Sequence, residues 1–300
     1  MLRKFSFVLA LLLLAHRSAL AQTTLEFSYA DPIFINVVHT SEADVSLMGQ
    51  NTKIEMKASF LFKVDTGETE KGVTTCNVTI LDCDDTTSAN GKSSGKDMLK
   101  GLKNQKFEVV ISENNQKIEL RKTEAASKAI MGAEAAGATA EEKKQAEDMM
   151  KEALRIHLAE SLIPLPGKPV EKGDKWKHKT SIDMQSLADV SVDREYVFGG
   201  EKTEGDKTVG MFEWTSKVDI KPKKAGPDAP PFSITEKPGA VQKNDGTVVW
   251  DLEADRPVSV ENTQVYSLEL SGDMEGQKIK GSIKAEEKFV FTYFDKNPAK

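Results

Sequence analysis

Runs of β-branched and aromatic residues, alternating with polar ones and cut at short intervals by Gly, Asn, Asp and Pro, dominate this chain. Ile33 to Ser46, Thr52 to Val64 and Val73 to Cys83 follow the pattern, separated by Gly49-Gln50-Asn51 and Thr66-Gly67-Glu68. Period-two alternation bounded by such breakers predicts strands joined in hairpins. Phe107 to Leu120 continues the series, with Asn114-Asn115 suited to the positive φ of a tight turn. The polar stretch DDTTSANGKSSGKD between them reads as an exposed loop. Further strand patterns follow over Lys177 to Ile182, Val190 to Phe198, Val209 to Ile220, Thr247 to Glu253, Val258 to Leu270 and Lys278 to Phe294.

One segment breaks the series. Between Thr139 and Leu162 the apolar residues Ala146, Met149, Met150, Ala153, Leu154, Ile156 and Leu158 recur at three- and four-residue spacing. That period is helical, and Thr139 with Glu142 forms a capping box. Pro164 and Pro166 end the helix. The pattern predicts an α+β fold: a curved antiparallel sheet or half-barrel of about 11–12 strands, packed on one central helix. The strands form either one sheet or two sub-sheets, residues 22–122 and 176–295, joined by a helical segment at residues 123–163.

The first residues, MLRKFSFVLALLLLAHRSALAQ, have the charged, apolar and A-x-A parts of a secretory signal peptide spanning residues 1–21. An exported chain starting at Gln22, in the periplasm or outside the cell, is the expectation. The apolar run is shorter than the roughly 18 residues of a membrane span, and no integral membrane segment is expected after cleavage. Removing Arg3, Lys4 and Arg17 leaves 38 of 41 basic residues against 47 acidic ones, a net charge of −9. That balance argues against nucleic acid as a partner, since phosphate binding needs a basic face.

Cys76 and Cys83 are the only cysteines, and export favours a disulfide between them. Their sequence argues the other way. An extended seven-residue step spans roughly 23 Å, whereas a disulfide needs Cα atoms within about 7 Å. Odd spacing also turns the two side chains to opposite faces unless a bend or bulge intervenes. A pairing and two free thiols both stay open.

No catalytic constellation emerges. His39, His157 and His178 sit apart, without the spacing that places two imidazoles on one metal. GKSSGKD lacks the phosphate-loop spacing, and the cluster Asp82, Asp84, Asp85 lacks the glycine and late glutamate of a calcium loop. No cofactor is expected. In LPGKPVEKGDKW, Gly173 and Asp174 suit a turn and Trp176 offers a large apolar surface at the start of a strand, a structural role.

The G-Q turn at Gly49-Gln50, the FEVVIS hairpin, a helix ending in L-x-P-L-P, and K-P-V-x-x-G-D-x-W together resemble a family of uncharacterised exported β-rich proteins frequent in planctomycete-type bacteria. GTVVWDLEADRPVSVENTQVYSLEL resembles that family's closing hairpin. The resemblance spans about residues 45 to 295 and implies fold and compartment, with no activity attached. Three functional readings follow. The first is a non-catalytic binding or structural module of the cell envelope, its partner an envelope protein of unknown identity. The second is a carrier of an apolar ligand, a lipid or lipoprotein acyl chain, lined by Met149, Met150 and Leu154. The third is a carboxylate-based hydrolase.

Overall fold

The computed structural model describes residues 22–28, 32–93, 99–112, 115, 117–131, 139–183, 188–223, 232–235, 240–274 and 277–299. The signal-like residues 1–21 lie outside these. The first half of the chain forms β1 (Ile33–Leu47), β2 (Gln50–Glu70), β3 (Val73–Ala89), β4 (Lys92–Ser93), β5 (Lys106–Ser112) and β6 (Ile118–Arg121). Two helices follow, α1 (Glu124–Met131) and α2 (Ala140–Ser161). The second half forms β7 (Lys175–Asp183), β8 (Ala188–Glu204), β9 (Lys207–Pro222), β10 (Phe232–Thr235), β11 (Val241–Asp251), β12 (Arg256–Met274) and β13 (Gln277–Phe294).

Among the described residues all thirteen strands belong to one antiparallel sheet, in the order β6-β5-β3-β2-β1-β13-β12-β11-β9-β8-β7, with β4 on β3 and β10 on β12. Each half is a meander of neighbouring hairpins. The halves join in the middle of the sheet, where β1 pairs with β13 from Phe34↔Phe294 to Leu47↔Gly281. The helices carry the chain from β6 at one edge to β7 at the other.

This overturns the α+β expectation. Strands far outweigh helix among the described residues, and the fold is a nearly all-β open sheet in which the helices connect the two edges. Composition misled because these strands outrun their apolar stretches. The tract Asp84–Ala89, polar enough to pass for loop, is the end of β3, paired with Ile54–Ser59. Away from the apolar core a strand end needs no apolar residues, only ladder partners and a bond for any polar group it buries, as Asp85 has from the Leu99 amide.

Turn chemistry fixes the hairpins. Met48-Gly49 and Asn90-Gly91 both have positive φ at two successive positions (51° and 82°; 51° and 75°), the condition of a two-residue hairpin turn whose twist matches the strands. Gly246 has a different task. A Cβ there would stand 2.3 Å from the Glu261 carbonyl oxygen and 2.6 Å from the Trp214 ring, so its absence lets Trp214 lie across β11.

The core sits on one face of the sheet. Trp214, Trp250, Tyr196, Phe62, Phe198, Phe212 and Phe291 are fully buried there, together with Leu154, Leu158 and Leu162 from the end of α2 and the residue after it. Burying each such side chain is worth roughly 1.5–3 kcal/mol. Strands of both halves contribute to the same cluster, so neither half has a core of its own of this size.

Candidate functional site

The two terminal strands face one cleft. Val110 of β5, Ile118 and Glu119 of β6, and His178 and Thr180 of β7 form its walls, and Glu160, Leu162 and Pro164 its floor; its volume is about 480 Å³. Arg155 of α2 bridges toward it, donating from Nη2 to the Ser181 carbonyl at 3.3 Å while pairing with Glu152. Asn115, whose φ of 58° is the positive angle the Asn pair predicts, donates from Nδ2 to the Ile163 carbonyl at 3.0 Å and pins the β5–β6 turn beside the floor.

A charged pair lies at the base of the cleft. Arg194 of β8 and Glu160 of α2 are buried and bonded Nη2 to Oε1. Asn262 of β12, with no exposed surface, donates from Nδ2 to the other carboxylate oxygen at 3.0 Å. The Trp214 ring lies 4.3 Å from the guanidinium carbon, a cation–π contact. Burial works against the charge on Arg194, but the Glu160 carboxylate and the Tyr196 hydroxyl together outweigh it and hold the guanidinium's pKa above its ordinary value. Burial raises the Tyr196 hydroxyl beside it, with Arg194 pulling the other way.

Register shows that this pair ends a polar row crossing the inner face. His178 stands opposite Arg194, Arg194 opposite Ser216, and Ser216 donates to the Asn244 carbonyl at 3.2 Å. Asn244 stands opposite Gln264, Gln264 opposite Glu287, and Glu287 opposite Ser41. At the far end Tyr266 donates to Glu287 at 2.8 Å, and burial raises the carboxyl's pKa. His39 lies 3.9 Å from Glu287, stacks on Phe289 with centroids 4.0 Å apart, and meets His157 of α2 edge-on at 5.7 Å. Burial, with His157 as the lesser cause, pushes the His39 imidazole down to about 4.

The residues singled out by sequence fall in different places. Gly173 has φ +93° in the turn before β7. The Asp174 carboxylate accepts from the Glu171 amide at 3.0 Å. Trp176 stacks on Tyr196 at 5.3 Å and donates from Nε1 to the Pro164 carbonyl at 2.9 Å. Leu154 is buried in the core; the side chains of Met149 and Met150 lie outside the described residues. Cys76 and Cys83 are both free thiols. A bulge at Leu81 shifts the phase of β3, so Cys76 and Cys83 share the inner face despite their odd spacing. Asp82 pairs with Lys103 at 2.8 Å, and Asp85 accepts from the Leu99 amide at 3.0 Å. Ser94 to Asp97 of the GKSSGKD stretch lie outside the described residues.

Sequence reasoning passed over Arg194, Glu160, Asn262 and Glu287. A signal existed. In Val190-x-Val192-x-Arg194-x-Tyr196-x-Phe198 the arginine occupies an inward phase, as does Glu287 two residues before Phe289. A charge in phase with a buried face must have a partner, even though the partner itself cannot be read locally.

Sheet and cleft define a class: an open-sheet antiparallel β protein with its two edges brought to a common site. Residues 46–207, more than half of the chain, match the model described as "Family of unknown function (DUF6263)", and the chain belongs to that family. No curated protein matches it. Among solved structures, a lipovitellin structure concerned with lipid–protein interactions is similar at TM-score 0.45 and 8% identity, over 91% of this chain and 26% of that one. The chain thus spans about a quarter of the lipovitellin length. A DUF1329 family protein from Desulfovibrio piger is similar at TM-score 0.17 and 9% identity, over 83% of each chain. DynF from the dynemicin pathway of Micromonospora chersina is similar at TM-score 0.22 and 7% identity, over 92% of this chain and 86% of that one. These likenesses are too slight to carry function.

Proposed function

We propose that the chain is a non-catalytic, exported binding module of the cell envelope that holds its partner in the cleft between β6 and β7. The carrying observation is that both ends of the sheet border one cleft of about 480 Å³, within the range of roughly 300–1,000 Å³ usual for ligand sites. Its charged floor supports binding over chemistry: Glu160 is engaged by both Arg194 and Asn262, which leaves it poorly placed to move a proton. The acyl-carrier alternative draws less support. The void under α2 bordered by Ile33, Val64, Cys76, Val109 and Leu158 is about 10 Å³, room for about one water and far short of a lipid tail.

A photo-crosslinking side chain at Lys179 tests the reading in the native envelope. A discrete adduct from Lys179, absent from the same probe at outward-facing Lys288 in mid-sheet, is expected. Identical adducts from both positions, or none from either, would remove it.

A further inference from the structure

We infer that the partner at the cleft is an extended acidic peptide segment that adds to β7 as a further strand. The inference rests on the reading of the cleft as the binding site and names the chemistry of its occupant. Backbone geometry comes first. The Asp174 carbonyl accepts from the Phe198 amide of β8, while the Ser181 carbonyl turns away to Arg155. In an antiparallel strand the N–H and C=O of one residue point to the same side, and alternate residues point to opposite sides. Lys175, Lys177 and Lys179 therefore present their backbone groups outward, on an edge that no described strand pairs. Such an edge is a template for one more strand.

Side chains then select the strand. The three lysines are exposed and project together from the outer face, with Glu195 2.8 Å from Lys175 and 3.7 Å from Lys177. An incoming strand places alternate residues about 5 Å from them, where carboxylates are favoured and cations are opposed. A second copy of this chain is a poor occupant, because β7 against β7 sets lysine beside lysine. The incoming residues of opposite phase face the cleft, where Ile118, Leu162 and Pro164 offer apolar surface beside the mutually paired Glu160 and Arg194, which favours small side chains with no charge of their own. The pattern is an alternation of acidic and aliphatic residues.

Fluorescence anisotropy with two labelled nine-residue peptides, one alternating Glu and Val and one alternating Lys and Val, tests this on the purified chain. The acidic peptide binds at least tenfold tighter at low salt, and the difference shrinks at 0.5 M salt. Lys179→Pro removes the central outward amide without touching the β8 ladder and weakens binding tenfold or more; circular dichroism and Tm confirm that the variant folds. The triple change Lys175→Glu, Lys177→Glu, Lys179→Glu reverses the preference, a readout independent of Lys179→Pro. Equal affinity for both peptides, or acidic-peptide binding indifferent to proline, overturns the inference. If neither peptide binds while crosslinking from Lys179 succeeds, strand addition falls and the cleft reading stands; if both fail, both fall.

Discussion

At the scale of single residues, the molecule places its polar groups where the core would otherwise be apolar. Arg194 and Asn262 both bond to the Glu160 carboxylate inside a shell of rings. Losing one partner of such a pair generally costs about 3–5 kcal/mol, because the other charge is left buried. His39 shows the same logic with a titratable group. Its imidazole is held neutral by burial and by His157, with a folded pKa near 4 against 6.5 when exposed. Between those values the unfolded chain binds the proton and the folded chain does not, so stability rises with pH. The contribution is full above pH 6.5 and is lost as pH falls toward 4. Glu287, raised by burial, runs in the opposite direction, so the measurement must isolate His39. His39→Phe keeps the stack on Phe289 and removes the titration. Urea unfolding at pH 7 and pH 4.5 should show wild-type stability dropping by about 2 kcal/mol more than the variant's. Equal drops in the two proteins would mean that His39 is not acid-sensitive. None of these pairings is visible in sequence, since Glu160 and Asn262 are 102 residues apart; only the inward phase of each polar residue is.

Elements were far more legible, because they rest on local rules. The alternation over Ile33 to Ser46 became β1 almost to the residue, and the helix predicted from Thr139 to Leu162 became α2. Failures came where the local signal was silent. Leu81 is an ordinary strand residue by composition, yet the bulge there decides which face Cys83 and Asp85 occupy. The polar end of β3 is held by ladder pairing and by the Leu99 amide bonded to Asp85. The turn before β7 is the opposite case, where every residue advertised its role. Gly173 takes the positive φ, Asp174 caps the Glu171 amide, and Trp176 joins the turn to the core by stacking and by its bond to the Pro164 carbonyl. Trp176→Ala should cost about 3 kcal/mol or more, a fall in Tm of roughly 6–12 °C for a chain of this size. Trp176→Phe keeps the ring contacts, loses the Nε1 bond, and should cost only about 1 kcal/mol. Thermal scans of the three proteins check the order, and an alanine variant melting with wild type would show that the ring contributes nothing.

At the scale of the whole molecule, the deciding contact is the one farthest apart in sequence. β1 and β13 pair along fourteen positions, and that ladder turns two meanders into one sheet. Nothing local announces it: β1 pairs equally well on paper with any antiparallel strand of matching phase. The same ignorance produced the α+β reading, since a helix set between two strand-rich halves looks like a layer until the sheet is known to be continuous. Continuity also has an energetic consequence. Phe62 and Val78 from the first half share a core with Phe212 and Trp250 from the second, so neither half can open without exposing the other's buried surface. The chain should therefore unfold as one unit, with a calorimetric enthalpy equal to the van't Hoff enthalpy. The comparison that tests this is scanning calorimetry against denaturation followed by tryptophan fluorescence, which reports only from the second half because Trp176, Trp214 and Trp250 all lie there. Coincident transitions are expected. A fluorescence midpoint displaced from the calorimetric one would mean that the halves melt separately and that the β1–β13 ladder is a seam between two domains, each stable without the other.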